Sequence, residues 1–230
     1  MAIALVQSSG GHDSTGTAIA SISTNTTNLT AGNLLVVGVR SAATTAPTMS
    51  DTAGNTFVLV TSVSDGAGDT VWQYYVKNCL GNAANAVKAT FSPTVAFIAI
   101  IAHEYSGADT TAPLDVSATG ANGGATSVVS ASFTPTNAND VGVAFGSIGA
   151  LGGTFTAGAN YTLQRNEDFF ESEDRLLTGT GAQTAGMSSN LSADWQIVVA
   201  TYKPAAAFVA EDDSWRIGFV QPFDPAVTVW

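Results

Sequence analysis

The stretch FSPTVAFIAIIAHEY, residues 91–105, decides the fold of this chain. Its centre, VAFIAIIA, is continuously apolar but has only the length of a strand, since a membrane-spanning helix needs about 20 apolar residues. Such a run, rich in Ile and Val, is typical of a central strand that is covered on both faces. The run LLVVGV, residues 34–39, predicts a second strand of this kind. We therefore expect buried sheets stacked in layers.

Four blocks of the first half recur in the same order in the second half, which is the pattern of an internal duplication. The matching blocks are LVQSSGGHDSTGTAIASIS from Leu5 with LDVSATGANGGATSVVSASF from Leu114, TAGNLLVVGVRS from Thr30 with TNANDVGVAFGS from Thr136, MSDTAGNTFVLV from Met49 with FTAGANYTLQ from Phe155, and FSPTVAFIAIIAHEY with LSADWQIVVATYK from Leu191. The sequence predicts one domain, 1–204, made of repeats 1–107 and 108–204. An extended tail, 205–230, follows it.

The segments between these runs have the pattern of short antiparallel strands. NTFVLVTSV (55–63) and DTVWQYYVK (69–77) alternate polar and apolar residues, and AGN, DGAGD and LGN between the strands are turn sequences. No window shows a capped helical pattern. Because a half with four strands would leave one sheet face uncovered, both halves are expected to form one sandwich. The predicted fold is all-β, a jelly-roll-like antiparallel β-sandwich.

Composition and charge exclude several classes of partner. Charged residues make up 11% of the chain and the net charge is −11 with only seven Lys and Arg, so the basic surface that nucleic acid requires is missing. The single Cys79 excludes an internal disulfide and is expected in the core. The start, MAIALVQSSGG, has no basic segment typical of a signal peptide, and no run predicts a membrane span. Two hypotheses explain the missing signal-peptide pattern. The protein belongs to a virion that lysis releases, or a signal peptide has been removed.

Neither histidine predicts a catalytic centre. Strand alternation places His103 on one face with Ile101 and Tyr105, and Glu104 on the opposite face, so the adjacent pair cannot act together. His12 is expected in a loop rich in Gly and Ser. No G-x-S-x-G motif is present, and we expect no catalytic residues and no enzymatic activity.

Calcium is the one metal that the sequence leaves open, and no other cofactor is expected. One Cys and two His are too few for a zinc site, whereas calcium accepts the oxygen ligands that loops offer. The candidates are Asp65 with Asp69, and Asp51 with Asn55. Both pairs also have the composition of ordinary hairpin turns, which is the preferred interpretation.

The segment NEDFFESEDR, residues 166–175, combines five acids with two aromatic residues. Paired carboxylates are what glycoside hydrolysis requires, but a loop of this charge density at the rim of a sandwich is more often solvated. Phe169 and Phe170 between the acids indicate a contact patch that a partner covers. The acids are Glu167, Asp168, Glu171, Glu173 and Asp174.

Aromatic residues also cluster near residue 72, where two interpretations are open. Trp72 and Tyr74 fall on one face of a strand, which favours packing in the core. The alternative is that Trp72, Tyr74 and Tyr75 form a platform on which a sugar stacks.

The tail sequence AEDDSWRIGFVQPFDPAVTVW, residues 210–230, concentrates aromatic residues that must be covered. Its prolines keep it extended, and an extended segment can add to the sheet edge of a neighbouring subunit. We therefore predict that the tail binds a partner. The predicted contact residues are Trp215, Ile217, Phe219, Phe223 and Trp230.

The stretches TAGNLLVVGV, DTAGNTFVLV, HEYSGADTTAPLDVSATG and SADWQIVVATYKP give the chain a resemblance to a known group. Residues 3–204 resemble uncharacterised bacterial and phage β-sandwich domains that occur in phage structural modules and secreted proteins. The resemblance implies a sandwich fold and a structural or adhesive role, and it carries over no catalytic residue. EYSG, residues 104–107, is the most characteristic part and is interpreted as the junction of the repeats.

The sequence thus predicts a non-enzymatic structural protein of a bacteriophage virion, either a capsid decoration protein or a tail-associated one. Its expected partners are other virion proteins and copies of itself in a homo-oligomer, with no nucleic acid and no membrane. The alternative is a carbohydrate-binding or adhesin module of an extracellular fibre or cell surface. A third hypothesis is a glycan-degrading enzyme that uses the acids of residues 167–174.

Overall fold

The computed structural model of the chain describes residues 2–206, and this part is built from strands. The sixteen strands are β1 (Ala4–Asp13), β2 (Ile19–Ser23), β3 (Thr27–Leu29), β4 (Leu34–Ser41), β5 (Thr48–Asp51), β6 (Val58–Ser64), β7 (Thr70–Val76), β8 (Asn82–Asn85), β9 (Val87–Val95), β10 (Ile98–Ser106), β11 (Leu114–Val129), β12 (Val141–Ile148), β13 (Phe155–Thr156), β14 (Thr162–Glu167), β15 (Phe170–Leu176) and β16 (Gly186–Tyr202). The described residues contain no helix long and apolar enough to cross a membrane.

Two large antiparallel sheets form the sandwich, and each is made by one half of the chain. The first sheet has the order β1-β10-β4-β7-β6. The second has the order β11-β16-β12-β15-β14, with β13 added to β16. The predicted all-β antiparallel sandwich is therefore confirmed.

The two sheets share their strand order and their register. Tyr105 of β10 pairs with Leu5 on one side and with Leu34 on the other. Tyr202 of β16 occupies the same position between the first residues of β11 and β12. Both edge strands contain a bulge after the second residue that pairs with the neighbouring strand. It follows Leu59 in β6 and Leu163 in β14. The halves thus have equivalent backbones as far as these strands extend.

The sheets face each other about a pseudo-twofold axis. Edge strand β1 of the first sheet lies against β14 of the second, and β11 of the second lies against β6 of the first. Since β1 corresponds to β11 and β6 to β14, the same contact is made twice, as in a symmetric dimer. This is the arrangement that a duplicated and fused dimer would have. The duplication and the domain boundaries remain predictions.

Three apolar clusters hold the layers together. The central cluster lies between the two large sheets and includes Val36 and Ile101 from one and Phe145 and Val198 from the other. Gly38 faces the Phe145 ring so closely that a Cβ atom would overlap it. On the outer side of the first sheet, a second cluster packs under the sheet β2-β9-β5. A third covers the outer side of the second sheet with the far ends of β11 and β16.

The predicted central strands are confirmed. All residues of β4, and all but the last of β10, are buried, because each strand lies inside a sheet that is covered on both faces. Cys79 is also buried, as predicted, with its Sγ atom 3.2 Å from the carbonyl oxygen of Thr30.

Candidate functional site

His103 is part of the interior between the sheets. It is fully buried, its Nε2 atom lies 2.8 Å from Ser172 Oγ, and its ring stacks on Phe145 at 5.7 Å. Burial lowers its pKa to about 3, so the ring is neutral. Glu104 points to the other face, as predicted, and accepts a hydrogen bond from Asn33. His103 therefore fills space in the core where no substrate can reach it.

His12 lies in strand β1, so its expected place in a loop is wrong. Strand β1 pairs with β10, and the side chains of Arg165 and Glu167 from the second sheet pack directly on Gly10. A residue with a side chain at position 10 would overlap them. His12 Nδ1 lies 2.7 Å from Glu167 Oε2, and Arg165 Nε donates to Glu167 Oε1 over 2.6 Å. The three side chains connect the edges β1 and β14 of the two sheets.

The acidic segment is a hairpin rather than a solvated rim loop, which corrects the expectation from the sequence. Strands β14 and β15 form it, and β15 lies inside the second sheet between β14 and β12. Glu171 and Glu173 have no exposed surface, and Glu167 and Asp174 are buried as well. Asp174 accepts a hydrogen bond of 2.8 Å from the Tyr105 hydroxyl.

The predicted exposed contact patch of Phe169 and Phe170 is wrong. Both side chains are buried, with 1% and 0% of their surface exposed, in the central cluster between the sheets. Asp168 adopts a left-handed conformation with φ of 59° in the tight turn between β14 and β15, and the two rings after it enter the core. Phe169 lies under the Arg40 guanidinium at 4.5 Å, and Phe170 stacks on Phe145 at 5.9 Å.

One candidate calcium pair, Asp65 with Asp69, is occupied by groups of the chain itself. Asp65 Oδ1 accepts three backbone N–H groups of its own turn, at 2.7 to 3.2 Å. Asp69 pairs with the buried Arg40. These contacts support the interpretation of Asp65 and Asp69 as residues of an ordinary hairpin turn.

The other pair behaves in the same way. Asp51 accepts the Asn55 backbone N–H at 2.8 Å and the Asn55 side-chain amide at 2.7 Å. Within residues 2–206, no group of three or more His, Cys, Asp or Glu is arranged to hold a metal ion.

Trp72 and Tyr74 pack in the outer core of the first sheet, which confirms the prediction that they share a buried face. Tyr75 points to the other side, where its ring contacts Tyr202 at 5.9 Å. Trp72 and Tyr75 therefore cannot form a sugar platform together.

The two halves differ most at the positions equivalent to Trp72 and Tyr74. Counting along the paired strands places Glu171 and Glu173 there in the second sheet. Burial, and then the charge of Glu173, raise the pKa of Glu171 to about 9. Burial also raises the pKa of Glu173 to about 7. The sequence contains the signal for this pair, since residues 171 and 173 fall on one face at strand spacing.

A second pair of acids lies at the start of β12. Asp140 is fully buried, and its carboxyl group lies within reach of the side chains of Asp115 and Thr201. It faces Asp115, which accepts a 2.6 Å hydrogen bond from the Thr136 backbone N–H. Burial and Asp115 raise the pKa of Asp140 to about 7. Two carboxyl groups have a donor between them only when one is protonated. The equivalent position of the first half holds Asn33, whose amide supplies that donor.

Outside the core, the second half has a cleft of about 480 Å³ that the sequence analysis did not identify. Its polar side chains come from separate segments, so no local pattern reveals it. The Tyr161 hydroxyl is buried there and has no hydrogen-bond partner in residues 2–206. Arg175 donates to Gln183 Oε1 over 3.2 Å. The other polar side chains of the lining are Ser127, Asn160, Thr184 and Ser188.

Large exposed apolar side chains lie on the edge strands of the sandwich. Val58 and Leu59 of β6 expose 43% and 46% of their surface, and Leu163, at the position of β14 equivalent to Leu59, exposes 39%. The described chain ends at Ala206, after Ala205 N–H donates to the Gly107 carbonyl oxygen at 2.8 Å. The tail residues Trp215, Ile217, Phe219, Phe223 and Trp230, predicted to bind a partner, lie outside the described residues.

Comparison with known proteins leaves the family of the chain open. No family model matches this chain, and no curated protein matches it. The resemblance to phage and bacterial sandwich domains therefore stays a prediction.

Proposed function

We propose that this chain is a non-enzymatic structural protein of a bacteriophage virion, a capsid decoration or tail-associated subunit that joins its neighbours. The observation that carries the proposal is where the side chains lie. Of the groups that could perform acid–base chemistry, His103, Glu171 and Glu173 are enclosed in the fold. His12 is exposed but hydrogen-bonded to Glu167, and large apolar side chains are exposed on the edges.

The way the two halves are joined also supports a passive structural role. Its halves bury a common apolar core, and side-chain hydrogen bonds connect their edges, as between His12 and Glu167. Edge strands are common sites for pairing with another chain, and β6 lies at the end of its sheet and carries two exposed apolar side chains. We assign the partner contact to β6 together with the predicted tail.

A charge on the β6 edge tests this assignment. We expect Leu59→Lys in the full chain to weaken self-association or binding to other virion proteins by about tenfold or more, because a charge would have to be buried in the contact. Leu151→Lys is the matched control, since Leu151 is exposed to a similar degree in the loop after β12. Sedimentation at several concentrations measures the effect. Equal association of both variants and the unchanged chain would refute the role of β6.

The alternative function, a carbohydrate-binding or adhesin module, has one observation in its favour. The cleft that holds Tyr161 and Arg175 is mostly polar and falls within the size range of small-molecule sites, about 300 to 1,000 Å³. Screening the full chain against immobilised glycans tests it. Binding that Arg175→Gln weakens would favour this function, and no binding would remove it.

A further inference from the structure

The cleft marks a departure from the symmetry of the two halves. In the first half the outer face of the sheet is closed, because Trp72 and Tyr74 pack under β2, β9 and β5. In the second half the equivalent positions hold Glu171 and Glu173, and the cover above them is the thin layer made by β13 and the far ends of β11 and β16. The cleft opens in this layer.

Glu173 ties together two backbone segments that meet in the lining of the cleft. Its two carboxyl oxygens accept the backbone N–H groups of Gly158, at 2.8 Å, and of Gly186, at 3.2 Å. Both glycines line the cleft, and their backbones approach so closely that a side chain on Gly158 would overlap Gly186. The walls are therefore held in place before any ligand arrives, which lowers the entropic cost of binding.

The polar groups of the cleft favour an anionic ligand. Among the described residues that line the cleft, Arg175 is the only one with a charged side chain. Gln183 orients its guanidinium, which can hold a carboxylate with two parallel hydrogen bonds. Tyr161 contributes to the wall of the cleft, but its hydroxyl is turned inward, next to Gly142 of β12, where it is buried without a partner in the described residues. Hydroxyl and amide side chains fill the rest of the polar lining, and these suit the hydroxyl groups of a sugar.

We propose that this cleft binds a small sugar acid, a monosaccharide that carries a carboxylate. The carboxylate lies against Arg175, and the sugar hydroxyls contact Asn160 and the serine side chains of the wall. The inference does not rest on the virion role, since it concerns a cleft on the outer layer and holds for a monomer as well as for an assembly.

The test is calorimetric titration of the full chain with D-glucuronate, with D-glucose as the neutral probe of the same size and acetate as the bare carboxylate. We expect glucuronate to bind at least about tenfold more tightly than either of the other two, because only glucuronate offers both parts of the recognised chemistry. Glucose binding as well as glucuronate would overturn the carboxylate assignment. Acetate binding as well as glucuronate would overturn the sugar assignment, and no binding of glucuronate would overturn both.

Two variants and a control locate the site. Arg175→Gln is expected to weaken glucuronate binding by about tenfold or more, since a charge-assisted pair is lost. Asn160→Gly removes a polar side chain of the lining at a position with φ of 66°, which glycine adopts readily, so the fold is retained and affinity is expected to fall several-fold. Arg165→Gln is the matched control, because Arg165 pairs with Glu167 outside the cleft. Unchanged affinity in both cleft variants would overturn the proposal, whatever the oligomeric state of the chain.

Discussion

Replacement of Glu171 by glutamine is expected to remove much of the pH dependence of stability. Glu171 has no exposed surface, neither of its carboxyl oxygens has a hydrogen-bond partner in the described residues, and Glu173 lies beside it. Burial, followed by the charge of Glu173, raises its pKa from 4.5 to about 9. The folded chain therefore keeps the proton of Glu171 at neutral pH, while the unfolded chain releases it.

The sign of the effect follows from proton binding. Because the folded state binds one proton more than the unfolded state between pH 4.5 and about 9, stability is highest below this range and falls as the pH rises through it. The slope for one proton is about 1.4 kcal/mol per pH unit, so Glu171 alone lowers the free energy of unfolding by about 4 kcal/mol between pH 5 and pH 8. Glutamine has nearly the same shape and cannot titrate. The advantage of Glu171→Gln over the unchanged chain should grow by up to that amount.

Urea unfolding, followed by tryptophan fluorescence at pH 5, 6, 7 and 8, measures this difference. Glu104→Gln is the matched control, since Glu104 is also buried but accepts hydrogen bonds from Gln7, Thr30 and Asn33. Loss of a carboxyl oxygen that accepts these hydrogen bonds should destabilise that variant. If the free energies of unfolding of Glu171→Gln and the unchanged chain stay parallel from pH 5 to pH 8, the carboxyl group is ionised and hydrated in the fold, and the reasoning is refuted.

Three further substitutions test the interior by the same urea assay. Asp140→Asn copies the solution of the first half at Asn33; because the raised pKa of Asp140 weakens the unchanged chain as the pH rises to about 7, the variant should be the more stable by roughly 2 kcal/mol at pH 8, and equal stability there would contradict a proton held by the pair. Gly38→Ala places a methyl group against the Phe145 ring and should cost about 1–3 kcal/mol, so a neutral result would contradict the close contact of the two sheets. Phe170→Ala should cost about 3–5 kcal/mol, as expected for a core residue, whereas loss of association at unchanged stability would restore the surface patch.

The sandwich was predictable because its signals are local. Alternation, turn sequences and the two apolar runs determine which segments form strands, and the recurring blocks indicate that the halves correspond. The burial of Trp72 and Tyr74 follows from alternation in the same way.

The errors arise where charge was taken as a sign of solvation. Glu171 and Glu173 lie in a strand that tertiary pairing places inside a sheet, so their burial depends on β12 and β14 rather than on their own segment. Phe169 and Phe170 follow the same hairpin into the core. The cleft could not be predicted, because Tyr161 and the other polar residues of its lining come from separate segments that only the folded chain brings together.

The most direct test of the proposed structural role is the molar mass in solution, by light scattering, of the full chain and of a chain that ends at Ala206. This end point keeps the contacts of Pro204 and Ala205 with the junction of the halves. We predict that the full chain assembles and that the shortened chain is a folded monomer. Two identical monomers would contradict the proposal that this protein joins neighbouring subunits through its tail.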